Sequence, residues 1–377
     1  MCKHTQGLPF PRPPDRVVVA MSGGVDSCVA AALLKQQGFQ VVGVTMRLAD
    51  LDQPPGSVRP GASCCSDQAV QDARAVCDTL GVPHRVADLR ETFEACVVRD
   101  FVAEYLAGRT PNPCVRCNVH VKWEALIRQA DVLGAPYVAT GHYARVDFDP
   151  ATQRARLQRA LCRDKDQSYV LWGLDQDKLA RTRFPLGEVP KSEVRRLARS
   201  LGLRVADKAE SQEVCFIPDN DYPRFLRERT GPAVPLGEGP ILDGSDRRVG
   251  THRGAAFYTV GQRKGLGIAA KKPLYVTRLD AQRNTLWVGG REELKSRALT
   301  AAQSNWIAFD RLEAPVRALA QIRYLHPAAP ATIHPDGPGR VAVTFDEPQY
   351  ALTPGQSVVF YEGDMVLGGA VIESGHH

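Results

Sequence analysis

The feature that most constrains how this chain can fold is the segment Ser22–Ser27, with the sequence SGGVDS. It follows a short apolar run, Val17–Ala20, which predicts a buried strand. It precedes Cys28–Gln37, which predicts a helix, and Gly38, a residue type that commonly ends helices. Because Val41–Val44 predicts a second buried strand, the chain begins with a βαβ unit. Such a unit implies a parallel sheet that binds ligands at the carboxyl ends of its strands.

The composition of Ser22–Ser27 predicts that this turn binds phosphate. Glycines let backbone N–H groups approach an anion closely, and the helix N-terminus adds partial positive charge. The hydroxyls of Ser22 and Ser27 can donate to phosphate oxygens, and Asp26 is the candidate ligand for a charge-offsetting Mg²⁺ ion. The segment has neither the Gly-Lys-Ser/Thr of a Walker A loop nor the G-x-G-x-x-G spacing of a dinucleotide fingerprint. It resembles the PP-loop of enzymes that split ATP into AMP and pyrophosphate.

The alternation of helix and strand patterns continues as far as Thr140, where the last strand runs into the motif GHYAR. A Pro- and Gly-containing loop, Gln53–Ala62, interrupts it. The predicted elements are the helices Asp67–Leu80, Glu91–Leu106 and Val119–Leu133 and the strands His84–Val86 and Tyr137–Thr140.

After about Pro218 the pattern changes to short β-like runs separated by Gly and Pro. The predicted strands are Ala256–Val260, Leu274–Leu279, Thr285–Val288, Val341–Phe345, Ser357–Tyr361 and Met365–Ile372. We therefore predict an α/β protein with a parallel-sheet PP-loop domain of the adenine nucleotide hydrolase-like type, a small central domain and a C-terminal β-barrel. The predicted division is a disordered Pro-rich leader at 1–15, the ATP-binding catalytic domain at 16–218, a central linking domain at 219–292 and the barrel at 293–377.

Composition excludes several classes of protein. Hydrophobic residues make up 44% and charged residues 24% of the 377 residues, which is typical of a globular chain. No apolar run has the length of a membrane span, and the first residues contain no apolar signal region, so we expect a cytoplasmic protein with no membrane partner. All ten cysteines lie in the first 215 residues, whereas a secreted disulfide framework would cross-link the whole chain.

Positive charge is concentrated in parts of the chain. The formal net charge is +6, and the segment Arg247–Lys272 contains seven Lys and Arg residues and no acidic residue. From Ala151 to Thr230 there are 17 Lys and Arg against 12 Asp and Glu, a difference of +5. Clustered positive charge favours a phosphate-rich partner, although a solvated basic face explains either segment alone equally well.

Cys114 and Cys117 form a C-x-x-C pair within the sequence TPNPCVRCN, where two prolines restrict the backbone. If Cys117 lies at the start of the predicted Val119–Leu133 helix, the helix dipole favours its thiolate, and Arg116 and Lys122 add to this effect. The pair could be half of a zinc site, but no second pair completes four ligands. It could also be a redox pair, or act with a distant third thiol.

Cys215, in ESQEVCFIP, is the candidate for that third thiol, on a loop that enters a strand. Taken alone it is better explained by core packing, and the same explanation is accepted for four others. Vicinal Cys64 and Cys65 have no explanation from the sequence. The cysteines interpreted as packing residues are Cys28, Cys77, Cys96 and Cys162.

Seven segments together resemble the tRNA-specific 2-thiouridylases, a family of enzymes that thiolate the wobble uridine of tRNA. They occur in order from about Val17 to Ile372, so the resemblance covers nearly the whole chain. The segments are SGGVDS, TPNPCVRCN, ATGHYAR, DKDQSYVLWGL, ESQEVCFIP, YTVGQRKGLGI and PGQSVVFYEGDMVLGGAVI.

The resemblance implies an ATP-dependent sulfurtransferase that adenylates the uridine and then replaces its oxygen with sulfur. Its partners would be the anticodon loop of tRNA, contacted in part by the central domain, and a sulfur-relay protein. Cys117 would be the nucleophile and Cys215 the persulfide carrier. The implied binding residues are Ala20, Met21, Ser22, Gly23, Gly24, Val25, Asp26, Ser27, Met46 and Gly141 for ATP, Asn112, Pro113 and Cys114 for the target base, and His142, Lys165, Asp166, Gln167, Arg323, Tyr324 and Gln356 for tRNA.

Some members of the family carry Asp where this chain has Cys114, and that Asp is credited with acid/base help. The role is open here because a thiol is a different acid. Three close thiols could instead hold an iron–sulfur cluster, an alternative ranked below the persulfide interpretation. The rival interpretations of the whole chain are a PP-loop ligase for a small molecule, which leaves Cys117 and Cys215 without a role, and a non-catalytic RNA-binding or zinc-dependent module.

Overall fold

The computed structural model of the protein describes residues 13–49, 67–208, 214–231 and 236–376. Most of the predicted disordered leader, the predicted loop Gln53–Ala62 and the cysteines Cys2, Cys64 and Cys65 lie outside the described residues.

The helices and strands of the described residues follow one another in the order expected of an α/β segment and a later β-rich segment. The helices are α1 (Val25–Gln36), α2 (Asp67–Leu80), α3 (Arg90–Phe93), α4 (Arg99–Leu106), α5 (Pro113–Cys117), α6 (Trp123–Val132), α7 (Gln176–Ala180), α8 (Lys191–Ser200) and α9 (Tyr222–Thr230). Two π-helical turns, Glu94–Val98 and Asn118–Lys122, precede α4 and α6, and short 3-10 turns span Arg163–Lys165, Ser168–Val170, Ala255–Phe257 and Arg291–Leu294. The strands are β1 (Arg16–Ala20), β2 (Gln40–Arg47), β3 (His84–Asp88), β4 (Tyr137–Ala139), β5 (Ala144–Asp149), β6 (Arg154–Arg159), β7 (Thr182–Arg183), β8 (Gly239–Leu242), β9 (Arg248–His252), β10 (Tyr275–Asp280), β11 (Thr285–Gly289), β12 (Lys295–Trp306), β13 (Val316–Gln321), β14 (Ala329–Pro335), β15 (Arg340–Tyr350), β16 (Ser357–Glu362) and β17 (Met365–His376).

The chain divides into two compact units. The first comprises Met1–Cys96, Cys114–Asn220 and Asp364–Val366, and the second comprises Val97–Pro113, Asp221–Gly363 and Leu367–His377.

The first unit is built on a five-stranded sheet with the order β3-β2-β1-β4-β7, in which all pairings are parallel. Its central strand β1 is almost wholly apolar, and Val17, Val18 and Val19 are inaccessible to solvent, as expected of a strand covered on both faces. Cys28 and Val29 of α1 pack in the same core. The predicted N-terminal parallel sheet is confirmed.

The second unit contains two β structures. A four-stranded sheet has the order β10-β11-β8-β9. The strands β12, β15, β14, β13, β16 and β17 form an antiparallel sheet, and β12 also pairs with β17 from Ala298↔His376 to Trp306↔Gly368, which closes it into a barrel. The predicted C-terminal β-barrel is confirmed, and its closure pairs β12 with β17, the first and last strands of the six.

Two predicted elements differ from the structure. The predicted strand Ala256–Val260 is wrong: Ala255–Phe257 is a 3-10 turn that follows Gly254, whose φ is +129°. A short apolar run flanked by glycine does not distinguish a strand from another buried segment. The predicted helix at Val119 begins earlier, at Pro113, because proline at the first helical position has a φ suited to the helix and needs no hydrogen-bond partner for its nitrogen.

A candidate nucleotide site at the carboxyl ends of two parallel strands

The site lies where the strand order of the parallel sheet reverses. From β1 the chain proceeds to β2 on one side, whereas β4 pairs with β1 on the other. The loops that follow β1 and β4 therefore leave the same edge of the sheet on either side of a crevice, the usual binding position in open α/β sheets. These loops carry Ser22–Ser27 and the Gly141–His142 dipeptide.

Internal hydrogen bonds shape the loop Ser22–Ser27. The Ser22 N–H donates to Ser27 Oγ over 3.1 Å, and Ser27 Oγ donates to the Gly24 carbonyl oxygen over 3.1 Å. Gly23 has a φ of +66°, and a Cβ there would lie 2.3 Å from the Ala69 carbonyl oxygen, so only glycine fits. Gly24 caps α1, which places the helix N-terminus directly behind the loop.

Asp26 is held by two side chains from later in the sequence. The Tyr143 hydroxyl donates to Asp26 Oδ1 over 2.7 Å, and Lys191 Nζ donates to Oδ1 and Oδ2 over 2.6 and 2.8 Å. Lys191 is the first residue of α8, and its side chain is only 12% exposed. The carboxylate in the candidate phosphate loop is therefore already neutralised by an ammonium group.

A second lysine stabilises the opposite side of the loop. Lys208 Nζ donates to the Gly23 carbonyl oxygen over 3.0 Å and to Asp72 Oδ2 over 2.8 Å. Burial alone would raise the pKa of Asp72, but hydrogen bonds from Lys208 and Gln68 outweigh it and lower that pKa. The ion pair thus fixes the glycine turn against α2.

Gly141 brings the loop after β4 into contact with the phosphate loop. A Cβ at Gly141 would lie 2.6 Å from the Ser27 backbone nitrogen, so a larger residue would displace the start of α1. Met21, at the end of β1, is 1% exposed, and its N–H donates to the Val44 carbonyl oxygen of β2. Met46 is on β2, two residues further on, and is nearly buried. The structure thus brings together the loop residues and Gly141 among those predicted to bind ATP.

His142 follows Gly141 and is surrounded by aromatic rings. Its ring centroid lies 5.5 Å from that of Trp123 and 6.3 Å from that of Phe184. Its Nδ1 lies 2.7 Å from Thr140 Oγ1. Burial, with a smaller contribution from the Lys122 charge, lowers the pKa of His142 to about 3. The imidazole is therefore uncharged at neutral pH.

Cys114 and Cys117 lie on the short helix α5, which continues through the π-helical turn into α6. Cys114 is exposed and Cys117 is buried. Cys117 does not lie near the start of a helix, because Pro113 is the first helical residue and Cys117 is four residues further on. The dipole acts mainly in the first turn, where Cys114 lies.

Cys215 lies in an irregular turn rather than on a loop that enters a strand, so that expectation is also wrong. The ring of the next residue, Phe216, packs edge-on against Phe93 with 5.5 Å between centroids. This contact fixes the backbone beside the half-buried Cys215 thiol. Cys117 and Cys215 both lie in the first unit.

The cysteines interpreted as packing residues divide into two pairs. Cys28 and Cys77 are inaccessible to solvent, and burial raises their thiol pKa values to about 12 and about 11. Such thiols are poor nucleophiles at neutral pH. Cys96 and Cys162 are half-buried free thiols.

The residues predicted to contact tRNA in the first unit mostly have internal hydrogen-bond partners. Asp166 is 5% exposed and accepts hydrogen bonds from the Ala160 N–H and from the Ser168 N–H and hydroxyl. Gln167 Oε1 accepts from the Tyr143 N–H over 3.0 Å. Lys165 ends the 3-10 turn before them. These side chains organise the loop beside GHYAR.

The other predicted tRNA contacts lie in the second unit. Gln356 Nε2 donates to the carbonyl oxygens of Thr110 and Pro111 over 3.0 and 3.2 Å, directly before the predicted base contacts Asn112 and Pro113. Tyr324 is 41% exposed in the turn after β13, beside Arg323.

Four residues that shape the site were not predicted from the sequence. Three of these residues lie in segments that contain no recognisable motif. The fourth, Tyr143, lies in the GHYAR motif. A lysine directly after a proline at a helix start was a weak signal for Lys191. The missed residues are Asp72, Tyr143, Lys191 and Lys208.

Three family models match successive parts of the chain. A family model described as tRNA methyl transferase HUP domain matches residues 15–219, one described as tRNA methyl transferase PRC-barrel domain matches 224–290, and one described as aminomethyltransferase beta-barrel domain matches 296–372. The tRNA-specific 2-thiouridylase MnmA of Pelotomaculum thermopropionicum is 50% identical over 359 residues, covering 95% of this chain and 97% of the relative. The chain belongs to the tRNA-specific 2-thiouridylase family.

A second member of the family, from Heliobacterium modesticaldum, is 52% identical over 95% of this chain and 92% of its own length. The domain descriptions refer to methyl transfer, but the full-length relatives are 2-thiouridylases and match the chain almost from end to end. Among solved structures, a 4-thiouridine synthetase–RNA complex with bound ATP aligns with a TM-score of 0.35 and 18% identity, covering 58% of this chain and 51% of its own. A likeness that weak says nothing about chemistry.

Two further findings concern only the part of the chain that the structure describes. No helix there is long and apolar enough to cross a membrane. No group of three or more His, Cys, Asp and Glu side chains there is arranged to hold a metal ion.

Proposed function

We propose that this chain is an ATP-dependent tRNA-uridine 2-sulfurtransferase, which converts the wobble uridine to 2-thiouridine with release of AMP and pyrophosphate. The observation that carries this proposal is the meeting of the Ser22–Ser27 loop with Gly141–His142 at the strand-order reversal. In this geometry the backbone N–H groups of the loop and the N-terminus of α1 can bind phosphates. The loop that carries Gly141 and His142 lies beside them. The relatives named above support the choice of reaction.

In this proposal ATP binds along the carboxyl ends of β1, β2 and β4. The phosphates bind to the N–H groups and hydroxyls of Ser22–Ser27, and Gly141 leaves room for the nucleotide beside the start of α1. The remaining nucleotide contacts are Ala20, Met21 and Met46.

Asp26 fits a role in Mg²⁺ binding. A nucleotide-bound Mg²⁺ usually takes one or two protein carboxylates, with phosphates and water completing its coordination. Asp26 is a carboxylate in the phosphate loop, and Lys191 balances its charge. When bound, Mg²⁺ would neutralise the charge that develops on the departing pyrophosphate.

Adenylation makes a poor leaving group into a good one. The uracil O2 attacks the α-phosphate, the bond from that phosphorus to the pyrophosphate oxygen breaks, and O2 becomes the oxygen of an AMP ester. The N–H donors of the loop and the N-terminus of α1 stabilise the negative charge that accumulates on the phosphates. When sulfur attacks carbon 2, the bond from that carbon to the original oxygen breaks and AMP leaves with this oxygen.

Sulfur reaches carbon 2 from a persulfide on Cys215, donated by a sulfur-relay protein. The terminal sulfur attacks carbon 2 directly, with Cys117 attacking the inner sulfur as the S–S bond breaks, or Cys117 first releases hydrosulfide, which then attacks. Both routes form a Cys117–Cys215 disulfide that a two-electron thiol reductant must reduce before the next turnover.

An iron–sulfur cluster is not part of this proposal. Cys114, Cys117 and Cys215 are all described, and they do not form a group arranged to hold a metal. No step is therefore derived through a cluster. We propose that the exposed Cys114 contacts the target base together with Asn112 and Pro113.

tRNA binding is proposed to rest on phosphate contacts and on a few loop residues. All seven Lys and Arg residues of Arg247–Lys272 are exposed, and within the described part of the chain only Arg247 has an acidic partner, Asp243. Exposed cations that lack acidic partners suit a polyanion. The proposed loop contacts are His142, Lys165, Asp166, Gln167, Arg323, Tyr324 and Gln356. A cytoplasmic location is part of the same proposal.

The test is ATP-dependent transfer of sulfur to tRNA, with AMP release measured in parallel. We expect Cys117→Ser and Cys215→Ser to abolish thiolation while ATP binding persists. Cys96→Ser changes a half-buried cysteine that is interpreted as a packing residue, and this variant should remain active. Thiolation that survives both substitutions, or that is absent in the wild type, would make the chain a different ATP-splitting enzyme.

A further inference from the structure

His142 is the histidine of the GHYAR motif. Two hydrogen bonds join this residue to Thr140: the Thr140 Oγ1 lies 2.7 Å from His142 Nδ1 and accepts from the His142 backbone N–H over 3.3 Å. Thr140 is 3% exposed. The hydroxyl group therefore makes all its hydrogen bonds inside the protein.

The Thr140 hydroxyl decides which ring nitrogen carries the proton. A buried hydroxyl hydrogen needs an acceptor, and among the described residues the acceptor within reach is His142 Nδ1. Nδ1 therefore accepts, which leaves Nε2 as the protonated nitrogen of the neutral ring. Nε2 has no hydrogen-bond partner among the described residues, and His142 is only half-buried, so this donor is available to a ligand.

The surroundings of the ring keep it uncharged. Trp123 is wholly buried, and its indole N–H donates to Thr182 Oγ1 over 2.7 Å, so the ring beside His142 is fixed. Burial, and to a smaller extent the Lys122 charge, disfavours the imidazolium. Among the described residues, no carboxylate acts on the ring to offset this.

The charged and titratable groups on the elements packed around the ring have other partners. Glu124, next to Trp123, pairs with Lys178 over 2.6 Å. Arg183, next to Phe184, lies over the Tyr137 ring. The Tyr143 hydroxyl donates to Asp26.

We propose that His142 is an uncharged hydrogen-bond donor that presents Nε2–H to the O4 carbonyl oxygen of the target uracil. The proposal rests on the proposed function and refines the predicted tRNA contact. In that reaction O2 is the atom that is adenylated and N3–H is itself a donor, so O4 is the acceptor that remains. Cytosine carries an amino group at the same position, so the donor also discriminates uridine from cytidine. Gly141, adjacent to His142, packs against Ser27, which places this donor beside the phosphate loop.

The protonation state is tested without activity. The full-length protein, labelled with ¹⁵N-histidine, is studied by NMR between pH 5.5 and pH 8, and the signal of His142 among the nine histidines is assigned by its loss in His142→Gln. We expect one protonated Nε2 and one bare Nδ1 throughout this range. Thr140→Ser, which keeps the hydroxyl, should preserve this pattern, whereas Thr140→Val should mix the tautomers. An imidazolium at pH 7, or protonated Nδ1 in the wild type, overturns the proposal.

The role is tested in single-turnover thiolation and in tRNA binding. His142→Ala should lower kcat/KM about tenfold, the size expected for one hydrogen bond, and His142→Gln, which keeps an N–H donor, should recover most of it. The slope of binding affinity against salt should be the same in wild type and His142→Gln. A slope reduced by about one would mean a cationic phosphate contact and would overturn the proposal. If the wild type fails to thiolate tRNA, the proposed function fails, and the NMR result still decides the tautomer.

Discussion

Lys191 Nζ lies 2.6 Å from Asp26 Oδ1 and 2.8 Å from Oδ2, although 165 residues separate the two in sequence. The pair joins α8 to the loop proposed to bind ATP. An acidic residue in a phosphate-binding loop would repel its ligand, and the ammonium group offsets that repulsion.

The first prediction concerns this pair. Lys191→Met leaves the half-buried Asp26 carboxylate without its counter-charge, so we expect it to destabilise the protein and to raise the KM for ATP. Asp26→Asn in the same chain should restore part of the stability. A double-mutant cycle, measured by urea unfolding, should give a coupling energy of about 1–2 kcal/mol. Lys178→Met, which removes a lysine that pairs with Asp175 and Glu124 away from the loop, is the control for KM. A coupling energy near zero would mean that the two charges act independently.

The second prediction concerns the pH dependence of stability. Because the pKa of Asp72 is lower in the folded protein, its stabilising contribution is present above the ordinary carboxyl pKa and is lost as pH falls through the folded value. Asp72→Asn should therefore lose stability at pH 7 and lose less additional stability than wild type between pH 5 and pH 3. The free energy of unfolding across this range is the measurement. The exposed Asp78, on the same helix, supplies the control Asp78→Asn, and equal acid sensitivity in all three proteins would contradict the prediction.

The third prediction concerns Gln356. Its amide donates to two carbonyl oxygens, those of Thr110 and Pro111, while the Thr110 N–H donates to the Pro354 carbonyl oxygen. Gln356→Ala should cost about 1–2 kcal/mol of stability and speed hydrogen exchange at the Thr110 amide. Gln349→Ala is the matched control, because that amide donates to the carbonyl oxygen of Glu347, which is two residues away in sequence. Unchanged exchange at Thr110 would show that Gln356 does not stabilise this segment.

The fourth prediction concerns the basic segment Arg247–Lys272. Replacing Lys271 and Lys272 together with Glu should weaken tRNA binding and reduce the magnitude of the salt slope by about two, because each phosphate contact contributes about one. Arg311→Glu, at an exposed arginine already paired with Glu313, should leave the slope unchanged. Binding titrations at several salt concentrations decide the matter, and equal slopes for all three proteins would remove this segment from the tRNA surface.

The sequence by itself determined the nucleotide-binding fold and its order. Strand, glycine turn, helix and strand follow one another within about 30 residues, so local propensity and hydrophobic pattern are sufficient to predict them. The family followed from seven segments, and the comparisons confirm it. The division into 16–218, 219–292 and 293–377 and the roles of the site residues stay predictions.

Only the tertiary structure decided how the site is held together. Lys191, Lys208 and Tyr143 reach the phosphate loop across separations of 165, 185 and 117 residues. No local pattern encodes which lysine meets which carboxylate, because the sheet and its helices set those distances. The tautomer of His142 also depends on tertiary contacts. The GHYAR motif identifies the residue, but the buried Thr140 hydroxyl and the neighbouring aromatic rings determine which ring nitrogen carries the proton. Local sequence thus specifies the loop that can bind phosphate. Long-range packing specifies which distant side chains balance the charge of the Asp26 carboxylate in this loop.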